Sequence, residues 1–105
     1  MLERDYQRLL IQELEHRFSG CIILKQDSGY RQGIPDLLIL WHDKWAALEV
    51  KAEHDSPEQP NQHYYVELMD NMSFAAFIYP ENQEEVLDAL QHAFQLRRPT
   101  CVPKR

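Results

Sequence analysis

Asp36, Glu49 and Lys51 are the residue types that phosphoryl chemistry uses, and they fall at a spacing that can bring them together. Glu49 and Lys51 are two apart in Trp45-Ala46-Ala47-Leu48-Glu49-Val50-Lys51, so on a strand their side chains project to one face. Asp36 follows Gly33-Ile34-Pro35 and opens another apolar run. Two carboxylates offer hard oxygen ligands for Mg²⁺ or Mn²⁺, with waters, a backbone carbonyl and a phosphate oxygen to complete the shell. Such an ion polarises a phosphoryl group and acidifies a bound water. A lysine beside it can orient that water or offset charge in the transition state. The same three residues can instead form a structural ion pair, and charge alternation on a strand is commonly a solvated face. Against that reading, Glu49 and Lys51 stand among Trp, Ala, Leu and Val, where a charge is costly unless paired or used.

The elements that must position them follow from periodicity. Leu2, Tyr6, Leu9, Leu10, Leu14 and Phe18 make one apolar stripe of a helix over residues 2–18, with Glu3 near its middle, Glu13 at its edge and Gly20 as a left-handed close. Residues 21–26 read as a strand, and 27–33 as a polar loop. Residues 36–41 and 45–51 flank His42-Asp43-Lys44 as a β-hairpin, apolar on both faces and therefore covered on both sides. Residues 53–60 form a loop. Residues 61–72 form a helix with Tyr65, Leu68, Met69 and Met72 on one side. Residues 74–79 are a fourth strand. Asn82 and Glu85 give a capping box for a last helix from about 83 to 96. The order is α-β-β-β-α-β-α.

Site assembly then depends on the hairpin turn. A two-residue turn at Asp43-Lys44, or a four-residue turn from His42 to Trp45, sets 36 opposite 51 and leaves Asp36 diagonal to Glu49 on one face. A three-residue loop would send Asp36 and Glu49 to opposite faces.

Composition narrows the alternatives. With 105 residues, 44% hydrophobic and 27% charged, the chain fits one soluble unit. No run of about 18 apolar residues is present, so no membrane span is expected. Met1 to Asp5 lead directly into the amphipathic pattern, unlike a signal peptide. Cys21 and Cys101 fit neither a disulfide framework nor a zinc spacing, and a reducing, cytoplasmic setting is expected. The net charge is −6, and Arg97, Arg98, Lys104 and Arg105 crowd the end, which leaves −10 in residues 1–96. That balance argues against holding nucleic acid by bulk electrostatics alone, although bound divalent ions can bridge carboxylates to phosphate.

Gly33-Ile34-Pro35-Asp36-Leu37-Leu38-Ile39-Leu40 together with Trp45-Ala46-Ala47-Leu48-Glu49-Val50-Lys51 resembles the PD-(D/E)XK nuclease superfamily. Within it, the chain is most similar to stand-alone virus-type replication-repair nucleases (VRR-NUC), often phage-borne. The resemblance runs from Glu3 to the last helix. It implies an α/β restriction-endonuclease-like core with a mixed central sheet flanked by helices, a nuclease domain over 1–96 and a basic tail over 97–105. It also implies Asp36, Glu49 and the Val50 carbonyl as metal ligands, with Lys51 as the catalytic lysine. A first-helix glutamate matches Glu3 before Glu13, acting directly or through water. A glutamine opening the next helix matches Gln62, or Gln59 if that helix starts earlier. The expected activity is Mg²⁺- or Mn²⁺-dependent hydrolysis of DNA, without an organic cofactor, in a host cytoplasm if phage-encoded. Cutting two strands needs two sites, which favours a homodimer acting on branched DNA such as a Holliday junction. The rival is a nuclease-fold module that binds DNA or a replication protein without cutting.

Secondary candidates have ordinary explanations beside functional ones. Gly33 serves a tight turn or a phosphate approach. Tyr30 and Arg31 are loop residues able to stack on a base or contact a phosphate. Lys25 is a strand-end lysine that can face the cleft. Tyr64 points to substrate if Tyr65 joins the core, and Arg97 and Arg98 can meet the DNA backbone. The five histidines show no metal spacing.

Overall fold

A computed structural model describes residues 1–27 and 29–95. Its elements run α1 (Glu3–Arg17), β1 (Ile22–Lys25), β2 (Leu37–Trp41), β3 (Lys44–Val50), α2 (Gln62–Met72), β4 (Phe74–Ile78), a 3₁₀ turn (Pro80–Asn82) and α3 (Gln83–Gln95). The four strands form one mixed sheet in the order β1-β2-β3-β4, flanked by the three helices. β1–β2 and β2–β3 pair antiparallel, whereas β3–β4 are parallel because α2 carries the chain back across the sheet.

Strand parity sorts the side chains. Leu37, Ile39, Ala46, Leu48, Val50 and Ile78 share one face and pack with Tyr6, Leu10 and Leu14 of α1 and with Val86, Leu87, Leu90 and Phe94 of α3. Tyr6 also ties the two helices, its hydroxyl donating to Gln83 Oε1 at 2.9 Å. The opposite face sets Ala47 and Ala75 against Val66 of α2, with Trp45, Met69 and Phe77 around them. α2 packs mainly on β3 and β4, so the cover expected on both sides is lacking at β1, where Ile22 and Leu24 stay exposed. Phe18, Trp41 and Phe94 interlock at the hairpin end, with ring centroids 5.2–5.6 Å apart.

Several local expectations are corrected. Leu2 and Leu9 lie outside the buried stripe of α1, which runs through Tyr6, Leu10 and Leu14. On α2 the inward set is Gln62, Tyr65, Val66 and Met69, a clean i, i+3, i+4, i+7 row, whereas Leu68 and Met72 face outward. Gly20 is left-handed (φ 88), but α1 is closed before it by Phe18 N–H donating to Leu14 O. Asn82 sits inside the 3₁₀ turn, where its Oδ1 accepts from Tyr79 N–H at 2.8 Å, so it does not pair with Glu85 as a capping box. The hairpin turn is His42-Asp43, with Trp41 paired to Lys44 and Leu37 to Leu48. His42 takes the left-handed conformation (φ 57) that a two-residue turn requires of a centre.

Candidate active site

The turn at His42-Asp43 determines what faces what. One step past the Leu37–Leu48 pair, Asp36 stands directly across from Glu49, rather than diagonal to it and opposite Lys51. The parity expectation is kept, since both carboxylates lie on the α2 side of the sheet, but their approach is closer than the sequence register gave. Asp36 precedes β2 instead of opening it, and its carbonyl accepts from Gln26 N–H at 2.8 Å. Its Oδ2 accepts from Val50 N–H at 3.0 Å, bridging the gap where the ladder stops. In an extended strand a residue's N–H and C=O point the same way, so the Val50 carbonyl also faces the Asp36 side.

Glu49 and Lys51 are buried, at 2% and 6% exposure, in a protein whose other described buried residues are almost all apolar. Gln62, the first residue of α2, joins them. Its Nε2 donates to Glu49 Oε2 at 2.8 Å, and its Oε1 accepts from Lys51 Nζ at 2.6 Å and from Gln59 N–H at 2.8 Å. The amide orientation is fixed by chemistry, with two donors on the oxygen and a carboxylate on the nitrogen. Lys51 Nζ also donates to Pro57 O at 3.0 Å and lies 3.8 Å from Glu49 Oε2.

Glu49 Oε1 is buried and has no hydrogen-bond partner. Burial, then the facing Asp36 charge, push the Glu49 carboxyl up to about 8, with Lys51 pulling in the other direction. Asp36 is close enough to hydrogen-bond Glu49 when the pair shares a proton. The pair thus calls for one proton or one cation between them. Glu3, on the first turn of α1, reaches the same cleft from the other side of the sheet. Partial burial and Asp36 raise its carboxyl, and Lys51 lowers it.

Glu3, Asp36, Glu49, Lys51 and Gln62 line one open cleft of about 580 Å³, floored by the sheet end and walled by residues 32–34 on one side and by Ser56, Pro57 and Gln59 on the other. Its two walls touch. Gly33 has φ 91, and a Cβ there would lie 2.6 Å from Asn61 Cβ and 2.8 Å from Pro60 O. The glycine therefore serves both its own turn and the approach of the loop that delivers Gln62. Asn61, itself left-handed at φ 71, turns that loop into α2.

Glu13 lies outside the cleft and pairs with Arg17 at 3.8 Å. Gln59 lines the cleft and acts through its backbone N–H. Lys25 is exposed on the strand face shared with Leu37, opposite the carboxylates, so it does not face the cleft. Tyr30 and Arg31 line a neighbouring hollow, and Arg31 Nη1 donates to Tyr65 OH at 3.5 Å. Tyr64 is 60% exposed beside a shallow depression on the outer side of α2. His63 pairs with Glu67 at 3.0 Å. Arg97 and Arg98 lie outside the described residues. The Pro57 carbonyl on Lys51 had no sequence signal, because any residue of that loop carries the same group and only the chain path selects one.

Among the described residues no group of three or more His, Cys, Asp and Glu side chains is placed to hold a metal on its own. Two carboxylates, a strand carbonyl and open space for water and phosphate nevertheless suit Mg²⁺ or Mn²⁺, which keep several waters and take one or two protein carboxylates. The unpartnered Glu49 oxygen is the observation that fits such an ion. No protein-family model, curated protein or solved structure matches this chain.

Proposed function

We propose that the chain is a Mg²⁺- or Mn²⁺-dependent endonuclease of the PD-(D/E)XK type, nearest to the VRR-NUC group, hydrolysing DNA phosphodiester bonds. The observation that carries this reading is the buried Glu49 carboxylate, facing Asp36 with an unsatisfied oxygen while Gln62 and Lys51 hold its other oxygen. A purely structural pair would satisfy that oxygen with a proton shared with Asp36, whereas an ionised Glu49 leaves it orphaned at a cost of about 1–3 kcal/mol that a bound ion offsets.

Asp36, Glu49 and the Val50 carbonyl would hold the ion, with Glu3 completing the shell through water. When bound, the ion supplies Lewis acidity at the scissile phosphate. Lys51 holds its ammonium at the cleft floor, where it can donate to the attacking water or a phosphoryl oxygen. Gln62 fixes that ammonium against Glu49, so little reorganisation accompanies reaction. Water adds to phosphorus in line with the departing oxygen and gives up its proton to solvent, the P–O bond to that oxygen breaks, and solvent protonates the leaving group.

So small a body covers little DNA, and two-strand cutting requires two sites, which supports a homodimer on branched DNA. Sedimentation at about twice the 12.5 kDa chain mass is expected, and a strict monomer both free and on DNA would remove that part. Substrate class is tested on labelled single strand, duplex, flap, splayed-arm and four-way junction DNA in Mg²⁺, Mn²⁺ or EDTA. Metal-dependent cutting, fastest on a branched member, is expected. Tight binding to one member with no cutting in either metal would favour the non-catalytic module.

A further inference from the structure

Beside the cleft lies a second hollow of about 340 Å³, lined by Gln26, Asp27, Tyr30, Arg31 and Ile34. Ile34 also lines the cleft, so the two spaces share a wall. The size is at the small end of the range for compact ligand sites. Tyr30 brings a large aromatic ring to it while remaining 86% exposed. Arg31 is tethered through Nη1 to Tyr65 OH, on the helix that delivers Gln62, so the hollow is anchored to the scaffold of the cleft. Asp27, which accepts from Gly29 N–H at 2.8 Å, adds a carboxylate to the same lining as Arg31. Opposite charges in one small hollow make a poor phosphate receptor. An aromatic face, a guanidinium plane, an amide and a carboxylate make instead the set that stacks on a base and hydrogen-bonds its edge.

We infer that this hollow receives one unpaired nucleobase of the DNA strand whose phosphate lies in the cleft. The inference rests on the nuclease reading for the position of that strand. A base within a duplex is stacked and paired and cannot enter, so the hollow selects flaps, splayed arms, junction branch points or single strands over continuous duplex.

Binding without metal separates this inference from catalysis. A single-stranded oligonucleotide carrying 2-aminopurine is titrated with the whole chain in EDTA, alongside Tyr30→Ala, Tyr30→Trp and the same oligonucleotide made abasic at the labelled position and labelled at its end. Tyr30 is so exposed that its substitution should leave the melting temperature unchanged, which circular dichroism checks. The expected result is quenching by the wild type, an affinity about tenfold lower for Tyr30→Ala, recovery in Tyr30→Trp, and a comparable loss for the abasic strand with the wild type only. Binding within twofold for Tyr30→Ala, an abasic strand bound as well as the intact one, or no binding at all would overturn the inference. Tyr30-dependent quenching in a protein that cuts nothing would leave the hollow standing and remove the nuclease reading. Cutting unaffected by Tyr30→Ala would do the reverse.

Discussion

At the scale of single residues the site is a problem of uncompensated charge. Glu49 is buried against Asp36, and its carboxyl is pushed up to about 8 by burial first and by the Asp36 charge second. A folded-state value above the unfolded one means that folding is favoured while the group is protonated. That stability is complete below the ordinary carboxylate value and is lost as pH rises toward 8. In metal-free buffer the protein should therefore weaken between about pH 4.5 and pH 8, whereas Glu49→Gln should flatten the profile and gain about 1–3 kcal/mol at pH 8. Urea unfolding at several pH values checks this, and Mg²⁺ should flatten the wild-type curve toward that of the variant. A wild-type profile no steeper than that of Glu49→Gln would show that Glu49 folds already ionised. The identities of Asp36, Glu49, Lys51 and Gln62 were legible because charged or amide side chains interrupt apolar runs or open a helix. The orphaned oxygen and the Pro57 carbonyl were not, since both depend on where a loop passes.

At the scale of elements, the cleft exists because two loops meet. β2 and β3 bring Asp36 and Glu49 together through a turn one residue earlier than the hairpin pattern indicated, since His42 accepts the left-handed turn position and leaves Lys44 free to pair with Trp41. Strand identity is encoded by apolar runs, but a turn of His-Asp-Lys lacks the Asn-Gly or Asp-Gly signal that fixes register. The α2 stripe differs from its sequence pattern for a related reason. Leu68 and Met72 are apolar yet exposed, because the inward row is set by Val66 together with the polar Gln62, which turns to Glu49 and Lys51. Gly33 lets residues 60–61 approach and thereby sets Gln62. Gly33→Ala combines a left-handed backbone with a contact of 2.6 Å, so it should cost about 2–4 kcal/mol. Chemical denaturation reads that loss, and activity at a temperature where the variant remains folded should fall with it. A variant as stable as the wild type would mean that the two walls are not held together at this point.

At the scale of the whole molecule, a four-stranded mixed sheet with α1 and α3 on one face and α2 on the other carries Glu3, Asp36, Glu49, Lys51 and Gln62 to one end, away from the Phe18–Trp41–Phe94 cluster. The element order was readable throughout, because the helices keep a helical period and the strands are short apolar runs bounded by polar loops. Which half of the sheet α2 covers was not readable, because the crossover from β3 to β4 decides it. The acidic balance is partly accounted for by carboxylates gathered in the cleft, and the remainder lies on solvated faces. The most direct measurement is the rate at which the wild type and Lys51→Ala cut a labelled four-way junction in Mg²⁺, Mn²⁺ and EDTA. Metal-dependent cutting by the wild type, reduced by about 10²–10³-fold or more in a folded Lys51→Ala, is predicted. Equal rates in the two proteins, or cutting that persists in EDTA, would contradict the account.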